Sequence, residues 1–183
     1  MIYSFTLQQV GWITGVVLVL VHFIALWKPV PTRSFLQSFP RSRMAGILLL
    51  ILAALWSFLL VWNMDLGEFS RMRHLLLLAI VILSIATGIL VPEFLSVRAL
   101  GILLLLAAEP LLEAAFLKPT ASRIFLVLIA YAWAIKGIFW VGMPFLFRDL
   151  AQWLINRPRV WSLAAAIGLA YGCLLILCSI LFY

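Results

Sequence analysis

Six long apolar runs, separated by short polar connections, dominate the pattern of this sequence. Each run is hydrophobic around the whole helix instead of along one stripe, which is typical of helices in lipid or inside a membrane bundle. A helix needs about 20 apolar residues to cross a membrane, and each run is close to that length. The predicted spans are residues 10–27, 45–62, 74–91, 99–117, 124–146 and 161–182. The pattern therefore predicts an all-α, polytopic integral membrane protein in which residues 1–183 form a single membrane domain.

Two of the connections contain more than a turn. In residues 147–157, Leu150, Trp153 and Leu154 recur at helical spacing with polar residues between them. This spacing predicts a short amphipathic helix that lies in the membrane interface. Residues 29–33 hold two prolines, which predict the start of a stiff extended turn. The other connections are short, so any chemistry is expected inside the membrane or at its surfaces.

A threefold repeat is suggested by the ends of the first, third and fifth spans. These spans stop at Pro29, Pro92 and Pro144. The connections after the first two stops share the pattern Arg-x-x-Gly before a leucine run, at Arg43 and at Arg98. The repeat predicts three helical hairpins, although leucine-rich spans also align by chance.

Basic residues are distributed unequally between the connections. The first, third and fifth connections hold eight Lys and Arg residues, whereas the second and fourth hold four. Because Lys and Arg favour the cytoplasmic side of a membrane, we predict that the odd connections are cytoplasmic and that both termini lie outside. We expect a multi-pass protein of the bacterial inner (plasma) membrane.

Composition supports the membrane assignment and narrows the partners. The chain is 67% hydrophobic and 10% charged, whereas a soluble domain is about 45–50% apolar and about 25% charged. The net charge of +7 comes mainly from the connections, where anionic lipid headgroups explain it. The expected partners are therefore the lipid bilayer and other membrane protein subunits, and no nucleic acid.

The sharpest candidate site is a group of charges within the spans. Glu109 and Glu113 are four residues apart, hence on one face of the fourth span. Pro110 lacks an N–H donor and favours a kink beside Glu109. Lys136 on the fifth span lies at a depth from which its long side chain could reach Glu109. A lone charge at this depth costs roughly 2.5–3.5 kcal/mol, so these three residues predict either an interhelical clamp, which we favour, or a proton relay or cation site.

Small residues and tryptophans predict packing and anchoring. Gly11 and Gly15 in the first span, and Gly168 and Gly172 in the sixth, form small-xxx-small faces that let helices approach closely. Such faces serve contacts within one chain or between subunits. Tryptophans near span ends are expected to anchor at the membrane interfaces; they are Trp27, Trp62, Trp140, Trp153 and Trp161.

The sequence gives little support to a cofactor or to enzyme chemistry. His22 and His74 fall at depths that differ by most of the bilayer, so a bis-His haem is not expected. No metal-binding pattern and no hydrolase elbow occurs in the sequence. Bound lipid is the only non-protein component expected, and a membrane enzyme is disfavoured because few polar groups converge.

Two functions of different classes fit these features. The first is a non-catalytic accessory or scaffold subunit of a larger membrane protein complex, packing through small-residue and apolar helix faces. The alternative is a small transporter or channel for a proton, a cation or a small solute, which would use Glu109, Glu113 and Lys136. We favour the subunit because the spans offer few other polar groups to line a path.

Overall fold

Eight α-helices account for most of the computed structural model, which describes Tyr3 and residues 5–183. In order they are α1 (Leu7–Trp27), α2 (Pro29–Ser38), α3 (Arg43–Asn63), α4 (Arg73–Leu90), α5 (Leu95–Ala115), α6 (Arg123–Gly142), α7 (Phe145–Ile155) and α8 (Pro158–Leu181). Six of them, α1, α3, α4, α5, α6 and α8, are long and apolar enough to cross a membrane. The all-α class and the six long apolar helices of the sequence analysis are confirmed.

The helices α1, α4 and α6 end in the same way. The residue that follows each helix is Lys28, Val91 or Met143, with φ between −123° and −128° and ψ between 60° and 67°. A proline comes next in every case, and its ring excludes the helical conformation from the residue before it. The proline stops noted in the sequence are therefore real helix ends with one shared backbone geometry.

The long helices do not pair as three hairpins. α1 packs along α8, α5 packs along α6, and α3 lies between α5 and α4. In the described part of the chain, the pairs expected from the repeat (α1 with α3, α4 with α5, α6 with α8) form no extensive contact. The shared prolines fix where helices end, whereas small residues fix which faces approach closely. The hairpin prediction is therefore wrong for the packing.

The central helix is α5, and the outermost is α4. α5 packs on α1, α3 and α6, and it has buried residues along its whole length. In its most apolar stretch 44% of the residues are buried, whereas the figure is 6% for α4 with the turn before it. Among the described helices, α4 packs extensively on α3 alone and buries only Leu77.

Two short helices lie at one end of the bundle, here called the Phe39 end; the opposite end is called the Tyr3 end. α7 coincides with the amphipathic helix predicted near residues 147–157, shifted by about two residues. The predicted extended turn after Lys28 is wrong, because residues 29–38 form α2. Proline is tolerated in the first turn of a helix, where its missing N–H has no partner within the helix.

Aromatic contacts hold the Phe39 end together. The ring centroid of Phe147 in α7 lies 5.6 Å from that of Phe39 and 4.9 Å from that of Trp140. The buried hydroxyl of Ser96, in the first turn of α5, donates to the carbonyl of Phe39 over 2.6 Å. Connections that are distant in sequence therefore meet in one layer at this end.

Candidate functional site

The four glycines that the sequence singled out lie in the contact between α1 and α8. Gly15 and Gly172 face each other, and a Cβ atom added to either would come within 2.9 Å of the carbonyl oxygen of the other. Gly11 lies against Ser179 and Tyr183, and Gly168 lies against the ring of His22. The hydroxyl of Ser179 also donates to the carbonyl of Gln8 over 2.6 Å. Both small-residue faces are therefore used within this chain.

A second close crossing, between α5 and α6, was missed by the sequence analysis. A Cβ atom on Gly101 would meet the carbonyl oxygen of Gly137 at 2.9 Å, and the converse distance is 2.7 Å. Neither glycine has a small residue four positions away in its own helix, so no small-xxx-small motif marks them. The single usable signal was an isolated glycine in each apolar run.

Glu109 and Glu113 lie at the Tyr3 end, beside the segment that precedes α1. The backbone N–H of Tyr3 donates to Oε2 of Glu113 over 3.2 Å. The side-chain hydroxyl of Tyr3 accepts a hydrogen bond from Nε1 of Trp56 over 2.7 Å. Tyr3 thereby links α5 to α3. Burial raises the pKa of the Tyr3 hydroxyl above its ordinary 10.0, the hydrogen bond from Trp56 opposes this, and the charges of Glu109 and Glu113 add to it.

Lys136 does not join this pair, contrary to the predicted cluster. Gly137 lies opposite Gly101, so Lys136 sits about 10 Å along the bundle from Glu109 at the helical rise of 1.5 Å per residue. Its side chain is exposed on the outside of α6. Within Tyr3 and residues 5–183 it makes no ion pair or hydrogen bond. The three predicted residues therefore form a pair of carboxylates and a separate lysine.

An apolar cavity of about 400 Å³ is lined by Tyr3, which bonds to Glu113, and by Pro110, which follows Glu109 in the sequence. Four long helices contribute to its wall, and Pro110 is part of it, although α5 continues as one helix through this residue. The lining residues are Tyr3, Phe5, Val10, Ile13, Thr14, Val17, Trp56, Ala107, Pro110, Leu111 and Trp133. Polar atoms contribute almost nothing to this wall, so the cavity suits an apolar molecule or part of one.

The tryptophans expected at interfaces divide into two kinds. Trp27, Trp62 and Trp153 are exposed near helix ends. Trp140 is half-buried against Phe147, and Trp161 is only 7% exposed. The last two therefore pack inside the protein.

The histidines have ordinary structural surroundings. Nδ1 of His22 lies 2.7 Å from the carbonyl of Leu18 in its own helix, and His74 is exposed at the start of α4. No group of three or more His, Cys, Asp or Glu side chains suited to a metal ion occurs among the residues that the structure describes.

Comparison with models of protein families, with characterised proteins and with solved structures finds no match for this chain. The arrangement of its own residues therefore carries the functional inference.

Proposed function

We propose that this protein is a non-catalytic accessory subunit of a larger membrane protein complex, and that a helix of the partner packs on the α3–α4 side. The observation that carries the proposal is the small burial of α4, whose one extensive contact with another long helix in the described part of the chain is with α3. Such a helix contributes little to the packing of its own chain. The exposed placement of α4 supports a role for this helix as a surface on which a neighbouring protein packs.

A groove between α3 and α4 also supports a partner contact on this side of the protein. It has a volume of about 450 Å³ and is lined mainly by apolar residues, and the small residues Ala54, Ser84 and Gly88 are part of its wall. A Cβ atom on Gly88 would meet only Leu50 Cδ2, at 3.5 Å, which is an ordinary van der Waals distance, so a methyl group fits here without a clash. Ser84 and Gly88 are four residues apart, the spacing that lets another helix approach closely. This face is less tightly packed than those of α1 and α8, where a Cβ atom added to any of the four glycines would lie within 3 Å of the opposite helix or of Tyr183.

Size-exclusion chromatography of the protein purified gently from its native membrane tests the proposal. We expect the wild-type chain to elute with other membrane proteins, as a particle larger than one copy. Gly88→Leu fills the groove and should release the chain from the complex. Ala166→Leu introduces the same side chain at an exposed position of α8 and should leave the complex intact. A chain that elutes alone as wild type, or that responds equally to both substitutions, would contradict the proposal.

A second candidate function, transport or binding of a small molecule, is favoured by the cavity beside Tyr3. Glu109 and Glu113 lie just behind its Pro110 and Tyr3 wall, and their charges would attract a protonated or cationic group of a ligand. The exposed position of Lys136 removes the third charge that a relay would have used. If the chain emerged alone, and if its reconstituted form moved protons or a solute with a loss on Glu109→Gln, the transport function would replace the subunit function.

A further inference from the structure

Lys136 is a charged residue in an otherwise apolar part of the protein surface. α6 begins with Arg123, and Lys136 is the one other charged residue of this helix. The neighbouring Ile135 and Ile138 are more than half exposed, and the Lys136 side chain is exposed beside them. If α6 crosses a membrane, this surface faces either lipid or another protein.

The position of Lys136 along α6 makes it difficult for its ammonium group to reach water beyond either end of the helix. The near end of the helix, at Gly142, is about 9 Å away at 1.5 Å per residue, and the far end, at Arg123, is about 19 Å away. The Cα–Cβ bonds of a helix tilt toward its N-terminus, so the lysine stem starts toward the middle of α6 and away from the near end. A lysine side chain reaches the membrane interface most easily when its stem points toward the nearest end of the helix. The stem of Lys136 points the other way, because the nearest end is the C-terminal one.

No carboxylate of the described chain neutralises this charge. Glu109, the nearer of the two acidic residues of the neighbouring helix α5, is displaced by about 10 Å along the bundle. Asp149 already pairs with Arg148 over 2.9 Å at the Phe39 end. A charged side chain that faces lipid without a partner is costly, and such residues usually pair with another charge.

We infer that the outer face of α6 around Lys136 docks against a membrane-spanning helix of a partner subunit, and that an Asp or Glu of this helix faces the Lys136 ammonium group. The inference rests on the proposed subunit function and specifies the chemistry of the partner. Charge complementarity indicates which kind of helix packs here. A wholly apolar partner helix would leave the Lys136 charge unneutralised, at the same cost in free energy as contact with lipid. The α6 face lies on a different helix from the α3–α4 groove, so the two contacts are tested separately.

Photocrosslinking from position 135 tests this contact in native membranes. The full chain carries p-benzoylphenylalanine in place of Ile135, and a matched chain carries it in place of Ile167, which is similarly exposed on α8. We expect the probe at 135 to label a protein in a membrane-spanning segment that has an Asp or Glu within one helical turn. Lys136→Met should lower the yield of this adduct at least fivefold, whereas Lys136→Arg should keep it. Exchanging the charges, with Lys136→Glu and the partner's carboxylate replaced by Lys, should restore the yield.

Three results would overturn the inference: adducts with lipid alone, an adduct whose yield does not depend on Lys136, or a labelled segment without a carboxylate. A probe at Val81, exposed beside the α3–α4 groove, separates this failure from that of the proposed function. Protein adducts from Val81 together with lipid adducts from Ile135 would remove the inference and keep the subunit function. Lipid adducts from both positions would remove both.

Discussion

The indole Nε1 of Trp161 donates a hydrogen bond to the carbonyl oxygen of Ala25 over 3.1 Å. This bond joins the first turn of α8 to the last turn of α1, where helical carbonyls have no partner within their own helix. Trp161 therefore links two helices by a hydrogen bond. Its predicted role as an interface anchor did not include this contact.

Replacing Trp161 by Phe should destabilise the protein in detergent. The substitution keeps an aromatic ring but removes the donor to Ala25, and an unsatisfied buried carbonyl costs about 1–3 kcal/mol. Thermal unfolding followed by circular dichroism measures the effect. Trp62→Phe, at a position that is 52% exposed, should change the midpoint much less. Equal losses in the two variants would mean that the hydrogen bond to Ala25 contributes nothing.

The two glycine crossings should tolerate no side chain. In Gly15→Ala and Gly101→Ala the new Cβ would lie within 3 Å of backbone or side-chain atoms of the opposite helix, and overpacking of this kind costs about 1–3 kcal/mol. Gly142→Ala is the control, because its Cβ would meet nothing within 4 Å. Stability in a series of sodium dodecyl sulfate concentrations should rank the control at or above wild type and the crossing variants below it. A crossing variant as stable as the control would argue against close helix contact.

Stability should fall at alkaline pH through Tyr183. Its hydroxyl donates to the carbonyl of Ser122 over 2.8 Å, and burial raises the pKa of Tyr183 to about 12 from the ordinary 10.0. Because the folded-state pKa is the higher one, the stabilisation is complete below pH 10 and is lost as the pH rises from 10 to about 12. Tyrosinate absorbance should include a group that titrates near pH 12, and Tyr183→Phe should remove it. A titration that is complete near pH 10 would contradict the assignment.

The orientation in the membrane can be read from two exposed serines. In a chain whose Cys173 and Cys178 are replaced by Ser, we expect Ser70→Cys to react with an impermeant maleimide on intact cells. Ser38→Cys should react only after permeabilisation, because the first connection is predicted to be cytoplasmic. The opposite pattern would reverse the predicted topology. Mass tagging of the labelled cysteines, followed by gel electrophoresis, gives the measurement.

Sequence reasoning located the long helices because their length and apolarity are local properties. The run at residues 10–27 became α1, and the stop at Pro29 was the true end of that helix. The pairing of helices was not predictable in this way, because a contact such as that of Gly101 with Gly137 depends on the rotation of two helices that the sequence does not specify.

The misplaced Lys136 illustrates the same limit within the candidate site. Counting residues from Arg123 gives a depth for Lys136, but it gives no direction around the helix axis. Adjacent residues of an α-helix differ by about 100° around the axis at 3.6 residues per turn. Once Gly137 faces α5, Lys136 must point well away from it. The carboxylate pair was predictable from its spacing, whereas its contact with Tyr3 depends on a segment without any pattern.

The contact between α1 and α8 also has a consequence for biosynthesis. The ribosome makes α1 about 150 residues before α8, so α1 has to wait for its principal neighbour while the helices between them are made. Until then the surface at Gly11 and Gly15 lacks the α8 residues that cover it in the complete fold. A nascent chain arrested before α8 would present that surface permanently, which offers quality control a simple mark by which to recognise an unfinished molecule.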